Sequence, residues 1–141
     1  MQEISFYMIK PHALVMRAEV VERIEQSGLT IVESKLVALG VAALEIIYAD
    51  LTPQWRSGVF HQYVDKPVEV GIVKGTNAIT ALLEVSGRER NPADCLPGTI
   101  RFDLGIHEPA MVYGVRVYHN VLHRSRNTDE AEKDVAVFQQ L

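Results

Sequence analysis

The fold of this chain is decided by its opening stretch, Ile4-Ser5-Phe6-Tyr7-Met8-Ile9-Lys10-Pro11. The residues of Ile4–Ile9 are mostly apolar, which predicts a short β-strand. Proline has no backbone N–H to donate to a neighbouring strand, so Lys10-Pro11 ends it. The chain therefore begins with a strand to which the later elements are added.

Helix and strand patterns alternate along the rest of the chain. Ala18–Ser27 places its apolar residues on one helix face, and Gly28 is suited to the C-cap. Asn127 and Glu130 have the spacing of a capping box, which predicts a last helix toward Gln140. The other predicted elements are helices over Val41–Asp50, Trp55–Val64 and Asn77–Val85, strands over Thr30–Leu39, Val68–Val73 and Met111–Tyr118, and an ordered loop over Ser86–Thr99. This order predicts an α+β fold, a ferredoxin-like split βαβ sandwich in which helices cover an antiparallel sheet.

The composition indicates one compact domain in a reducing compartment. The 141 residues are 48% hydrophobic, which is enough to bury a core without disulfides. The single cysteine, Cys95, has no partner for an internal bridge. The first residues lack the pattern of a signal peptide, and no apolar run approaches the roughly 20 residues that cross a bilayer. We therefore expect a single domain over residues 1–141 that is cytoplasmic and does not enter a membrane.

Charge narrows the class of partner. The net charge of -4 argues against a protein that binds nucleic acid through counterion release, so no sequence-specific nucleic acid is expected. Six of the nine arginines nevertheless lie between residues 88 and 126, a stretch without lysine. The planar guanidinium group suits phosphate oxygens, so this cluster can mark an anion site. A solvated surface is the other interpretation.

The strongest candidate for chemistry is the stretch from Asn120 to Ser125. His123 lies close to the Ser125 hydroxyl group, and the carboxylate of Asp134 follows eleven positions after the histidine. Nucleophilic catalysis needs such a set, which consists of a base, a polar neighbour and an orienting partner. A hydrogen-bonded structural histidine is the alternative interpretation.

Three blocks of the sequence resemble the nucleoside diphosphate kinase family. They are Phe6-Tyr7-Met8-Ile9-Lys10-Pro11, Asn91-Pro92-Ala93-Asp94-Cys95-Leu96-Pro97-Gly98-Thr99-Ile100-Arg101 and Asn120-Val121-Leu122-His123-Arg124-Ser125. The blocks occur in the order of the family, and the resemblance extends from about Ile4 to Phe138. The second block is long and specific, so it carries most of the weight.

The resemblance implies an enzyme that transfers a phosphoryl group by a ping-pong mechanism. The γ-phosphate of a nucleoside triphosphate passes to a nucleoside diphosphate through a phosphohistidine at His123. The resemblance also implies Mg2+ bound through the nucleotide phosphates, without a metal site on the protein. Because charge spreads over the phosphoryl oxygens in such a transition state, the protein has to supply position and cations. Family members are commonly oligomers, so a homo-oligomer is expected, which can be a hexamer, tetramer or dimer.

The resemblance implies roles for individual residues as well. Lys10 and Arg101 match residues near the transferred phosphate, and Asn120 matches one that contacts the ribose and phosphate. Asp134 stands where the family has a glutamate that orients the imidazole. Two further residues match positions close to the histidine, namely Tyr48 and Ser125.

The chain departs from the family where a cation is expected. On the helix before the second block, the family has a phosphate-binding arginine. Its position falls on Glu84 when counted back from Asn91, and on Leu83 when counted forward from Gly75. We hypothesise that Arg88 or Arg90 restores this cation from the loop. Arg90 is favoured because it directly adjoins the block. After His123 the family has a small residue, whereas this chain has Arg124.

Base recognition also departs from the family. The aromatic ring that stacks on the base there falls on Arg56 here. Trp55 and Phe60 are the candidates for stacking, and core packing is the alternative for both.

The chain from Arg101 to Asn120 is about nine residues longer than the family pattern, and its β-rich character predicts a hairpin or a lengthened strand. His107 and His119 in this segment also suggest a metal site with His123, although no carboxylate spacing supports it.

Two functions stay open: an active nucleoside diphosphate kinase, or a nucleotide-binding regulatory module on the same fold with weak or no kinase activity. The intact histidine, lysine and late arginine favour the enzyme.

Overall fold

The computed structural model describes residues 2–141, which form a mixed α/β fold around one sheet. The strands are β1 Gln2–Ile9, β2 Thr30–Ala38, β3 Pro67–Thr76, β4 Ala110–Val112, β5 Val115–Val117 and β6 Leu122–Arg124. The helices are α1 Arg17–Gln26, α2 Val41–Ile47, α3 Pro53–His61, α4 Ala78–Ser86, α5 Ile100–Leu104 and α6 Thr128–Gln139. Two short 3-10 helices cover Pro11–Met16 and Pro92–Asp94. Each helix among these residues is too short or too polar to span a membrane.

The main sheet has the strand order β2-β3-β1-β6, and every neighbouring pair is antiparallel. The elements β1, α1, β2, β3, α4 and β6 give the order βαββαβ along the chain. The predicted ferredoxin-like split βαβ sandwich is therefore confirmed. Strands β4 and β5 pair separately from this sheet.

Strand β1 lies inside the sheet and is buried on both faces. Successive side chains of a strand point to opposite faces. Phe6 and Met8 accordingly pack in the core on the side of α2 and α6, and Tyr7 and Ile9 pack on the side of α1 and α4. Because this strand has water on neither face, its sequence is apolar without the alternation of a half-exposed strand.

Two elements were not predicted from the sequence, the helix α5 and the strand β6. Elements of five and three residues are too short to show a helical or strand period. Strand β6 exists because it pairs with β1, and its register places His123 opposite Met8. The predicted loop over 86–99 is correct in outline, but it contains the 3-10 helix over Pro92–Asp94.

The extra residues after α5 form a hairpin of β4 and β5, as one of the two predicted alternatives has it. Tyr113 and Gly114 connect the strands with φ angles of 51° and 74°. Positive φ at both central residues is the mark of a type I′ turn. The hairpin packs on α3, where a Cβ atom at Gly58 would lie 3.0 Å from the Val112 carbonyl oxygen. The ends of the segment are joined by a backbone hydrogen bond of 3.0 Å from Ile106 N to His119 O.

The close approach of β1 to β3 generates a stability prediction. A Cβ atom at Gly71 would lie 2.3 Å from the Tyr7 ring, whose hydroxyl donates to Glu69 at 2.7 Å. We expect Gly71→Ala to lower the free energy of unfolding by about 1–3 kcal/mol, since the ring has no free space. Gly40→Ala is the control, because its added methyl group meets nothing within 4 Å. Urea unfolding checks both variants, and equal losses would contradict the steric explanation.

Candidate active site

A cleft along the β6 edge of the sheet carries most of the residues that the sequence singles out. Side chains from α3, from the 86–99 loop, from the hairpin and from the end of β1 line it. Its cations are Lys10, Arg88, Arg90, Arg101, Arg116, Arg124 and Arg126, and its carboxylates are Asp50, Glu89, Asp94 and Glu130. Cations therefore outnumber carboxylates in the cleft of a protein whose net charge is -4. Such a cleft attracts anions.

His123 on β6 is held by a carboxylate from α6. Its Nε2 atom lies 3.2 Å from Asp134 Oδ2, and the Ser125 hydroxyl donates to the same oxygen at 2.7 Å. A carboxylate oxygen only accepts, so the neutral ring donates through Nε2. The Nδ1 lone pair is thereby left as the nucleophilic atom of a side chain that borders the cleft.

Burial keeps this imidazole neutral. Desolvation lowers the pKa of His123 below its ordinary value of 6.5, while the hydrogen bond and charge of Asp134 raise it and the charges of Arg124 and Lys10 lower it. Tyr48 lies against the ring at 5.3 Å between centroids, and its own pKa is raised to about 12 by burial. Burial therefore favours the neutral form of the imidazole.

The backbone just before His123 is strained. Val121 has a φ of 76°, a conformation that β-branched residues rarely adopt. The residue is fully buried, and its carbonyl oxygen accepts from Lys10 N at 2.9 Å. Surrounding contacts thus hold this bend, which leads from Asn120 into the strand of the histidine.

Lys10 and Arg101 also line the cleft. Both are buried, at 5% and 4% exposure. The pKa of Lys10 is lowered by burial and then by the neighbouring charges of Arg101, Arg124 and Arg90. Burial lowers the pKa of Arg101 to about 10, while its terminal nitrogens donate to Glu89 O at 2.8 Å and Leu122 O at 2.7 Å.

The structure places the two arginines of the loop at the rim. Arg88 lies just after α4 and pairs with Glu84 on that helix. Its guanidinium Nε donates to the carboxylate at 3.0 Å. Arg90 is exposed, and its nearest carboxylate is Asp50 at 3.9 Å. Both border the cleft, so the hypothesis that one of them replaces the family's helix arginine stays a prediction.

The other predicted residues divide between cleft and core. Asn120 is buried at the cleft, where its Nδ2 donates to Arg90 O at 2.8 Å and its Oδ1 has no partner in residues 2–141. Trp55 borders the cleft and is 39% exposed. Phe60 is 9% exposed and packs in the core beneath α2, so it does not line the cleft.

The suggested three-histidine metal site is not formed. The His107 ring donates through Nε2 to Phe102 O at 2.7 Å, and the His119 ring lies against His12 at 4.9 Å between centroids. Within the described part of the chain, no three side chains of histidine, cysteine, aspartate or glutamate lie close enough to hold a metal.

Sequence reasoning missed the contribution of the hairpin and the burial of Arg124. Arg116 and Val117 of β5 line the cleft. Arg116 belongs to the arginine cluster that can mark an anion site, but the sequence does not show that a hairpin brings it to the cleft. The sequence shows Arg124 as an added cation beside the histidine, but its burial depends on the folded path of the 86–99 loop.

Comparison with known proteins assigns the family. Residues 3–140 match the family model described as nucleoside diphosphate kinase. The chain belongs to this family. It is 32% identical over 139 residues to a nucleoside diphosphate kinase of Archaeoglobus fulgidus, with 96% of this chain and 85% of the relative covered.

Two solved structures of the family have the same fold. The apo enzyme of Encephalitozoon cuniculi has a TM-score of 0.80 and 29% identity, and the match covers 96% of this chain and 88% of that one. The enzyme of Halobacterium salinarum, in complex with CDP, has a TM-score of 0.79 and 28% identity over 98% of this chain and 88% of that one.

The burial of His123 generates a titration prediction. We expect NMR titration to give His123 a pKa below 6.5, and Asp134→Asn to lower it further, because the carboxylate stabilises the protonated ring. With a lowered pKa in the folded state, this histidine's contribution to stability is present above pH 6.5 and is lost as the pH falls through the folded pKa. Asp129→Asn, on the exposed first turn of α6, is the control and leaves the titration unchanged. A rise in the pKa with Asp134→Asn would contradict this explanation.

Proposed function

We propose that this chain is a nucleoside diphosphate kinase that transfers the γ-phosphate of a nucleoside triphosphate to a nucleoside diphosphate through a phosphohistidine at His123. The arrangement of the histidine carries the proposal: one ring nitrogen is fixed by Asp134, and the other is left free in a cleft rich in cations. A single domain over residues 1–141 and a cytoplasmic location stay predictions.

The proposed chemistry has two half-reactions. In the first, Nδ1 of His123 attacks the γ-phosphorus, an N–P bond forms, and the bond from phosphorus to the bridging oxygen breaks to release the diphosphate. The Nε2 proton stays on the ring, whose positive charge is stabilised by Asp134. In the second, a terminal oxygen of another nucleoside diphosphate attacks the same phosphorus, and the N–P bond breaks. The ring is then neutral again.

Cations of the chain are proposed to stabilise the transferred group. Lys10 and Arg101 are buried beside the β6 edge, where the charge on phosphoryl oxygens is little screened by water. Asn120 has an unpartnered buried Oδ1, which suits a hydroxyl donor such as a ribose. Ser125 acts through Asp134, whose shared oxygen it holds in place.

Magnesium is proposed to arrive with the nucleotide and not to occupy a site of its own on the protein. Two of its carboxylates, Asp50 and Glu130, are bound to Arg126, and no three-residue ligand group exists within residues 2–141. We propose that Mg2+ is held by the nucleotide phosphates, where it would neutralise charge on the β- and γ-oxygens.

Trp55 is the proposed platform for the base. It borders the cleft together with Val117 of the hairpin, and Trp55 is 39% exposed, so its ring offers apolar surface to a base. Every base has a π-face, so stacking of this kind does not select one nucleotide. The Halobacterium salinarum enzyme is known in complex with CDP, and we propose that this chain accepts several nucleotides through such stacking.

Phosphorylation of the histidine is the direct test of the function. We expect incubation with a γ-labelled nucleoside triphosphate to leave an acid-labile label on the protein, and His123→Ala to remove it. Turnover should fall about 1,000-fold or more, because the nucleophile is lost. His107→Ala, an exposed histidine bound to Phe102, keeps both label and turnover. Nucleotide binding without any label would favour the regulatory module, which the intact His123–Asp134 pair disfavours.

We also propose that the chain forms a homo-oligomer through the free edge of β2. This strand is the outer strand of the sheet in the described structure, and its Val32 and Leu36 side chains are 59% and 68% exposed. An exposed strand edge with apolar side chains can pair with another chain. Whether the assembly is a hexamer, tetramer or dimer follows from measurement.

The edge predicts the effect of a charge on assembly. We expect Leu36→Glu to shift the oligomer toward smaller species in light scattering, because like charges would meet across a symmetric interface. Val64→Glu, which also charges an exposed valine but lies outside the strands, leaves the size unchanged. An unchanged size for Leu36→Glu would exclude the β2 edge as the interface.

A further inference from the structure

Three buried cations meet in the cleft without a carboxylate partner. Lys10, Arg101 and Arg124 are 5%, 4% and 4% exposed. In residues 2–141, no carboxylate oxygen lies within 4.0 Å of the charged nitrogens of any of the three. A buried charge is costly unless it is paired, so the free protein holds an uncompensated positive cluster. Binding of an anion would supply the missing charge.

Arg124 is the member of this cluster that directly follows the nucleophile in sequence. Its Nη2 donates to Gly87 O at 2.8 Å and to Arg88 O at 3.2 Å. Its Nε is buried and has no partner in the described residues. The carbonyl groups therefore fix the guanidinium plane and leave donors of the fork unused. The side chain borders the cleft, and its charge is close enough to lower the pKa of His123.

The other arginines near the histidine are already engaged or exposed. Arg88 pairs with Glu84, and Arg126 pairs with Asp50 and with Glu130. Arg90 is 64% exposed at its side chain. A phosphate would have to compete with carboxylates for Arg88 and Arg126, and with water for Arg90, whereas Arg124 is desolvated before any ligand binds.

We propose that Arg124 binds the phosphate oxygens of the nucleotide beside His123 and forms one anion site with Lys10 and Arg101. The assignment rests on the proposed kinase function. Arg124 would supply the positive charge that the family has from its helix arginine, whose position is Glu84 or Leu83 in this chain. Burial, followed by the charges of Arg101 and Arg126, lowers the pKa of Arg124 to about 9. A bound phosphate would raise this pKa again, because an opposite charge stabilises the protonated guanidinium.

A purely structural role makes different predictions. If Arg124 served only to hold the backbone at Gly87 and Arg88, its loss would destabilise the fold and would affect all ligands of the cleft alike. If Arg124 binds anions, its loss instead weakens the binding of ligands that carry phosphates and leaves the binding of other ligands unchanged. Removal of the arginine would also remove one uncompensated buried charge from the ligand-free fold.

The test compares ADP and adenosine by calorimetry in the wild type, Arg124→Gln and Arg23→Gln. For Arg124→Gln we expect ADP affinity to fall on the order of 10- to 100-fold, because a charge-assisted hydrogen bond is lost, and adenosine affinity to stay the same. Arg23→Gln removes an arginine paired with Glu19 and Asp103, away from the cleft, and leaves both affinities unchanged. Thermal unfolding without ligand should show no loss of stability for Arg124→Gln.

The proposal is overturned if folded Arg124→Gln binds ADP like the wild type, or if both ligands are weakened equally. Arg124→Lys keeps the charge but not the planar fork, so it replaces the glutamine variant if that variant does not fold. An ADP affinity between that of the wild type and one 10-fold weaker supports the site. Complete loss of both ADP and adenosine binding overturns it. The kinase function is judged separately by the label on wild-type His123. An unlabelled wild type with an ADP-specific loss in Arg124→Gln would reject the kinase and keep the anion site.

Discussion

The pairing of β6 with β1 is the constraint on which the site depends. Three register pairs join the strands, Tyr7 with Arg124, Met8 with His123 and Ile9 with Leu122. The contact continues beyond the ladder in backbone hydrogen bonds from Lys10 to Val121 and from Ser125 to Phe6. This short ladder brings the lysine after the first strand next to a histidine near the other end of the chain. A shift of one residue would turn the imidazole to the opposite face of the sheet.

The helix α6 completes the arrangement from the other direction. Asn127 caps its first turn by accepting from Glu130 N at 2.9 Å, as the sequence predicted. Asp134 lies further along the same helix, buried and shared between a hydroxyl group and an imidazole. Its side chain is one methylene shorter than the glutamate that the family resemblance implies. The Ser125 hydroxyl donates to the same carboxylate oxygen as the imidazole, so it helps to hold the carboxylate in place.

Sequence reasoning recovered the parts of the site that depend on residue type and spacing. The fold class, the last helix with its cap, and the meeting of His123, Asp134 and Lys10 could all be read from motifs. It did not recover β6, because a strand of three residues is created by its partner and has no pattern of its own. Nor could it separate Trp55 from Phe60, since both are aromatic and only packing decides which ring faces the cleft. The burial of Arg124 was also hidden, because the carbonyl groups that bind it belong to a loop distant in sequence.

The hydrogen bond between Ile106 and His119 has a consequence for how this chain can vary. It brings the two ends of the hairpin segment together, so the residues between them leave and rejoin the fold at nearly the same point. Segments with adjacent ends can be lengthened or shortened with little entropic cost and without moving their neighbours. A change in the length or sequence of the hairpin would thus reshape the wall of the cleft beside α3. The end of the cleft around Lys10 and His123, built on the β1–β6 ladder, would remain unaltered by such changes.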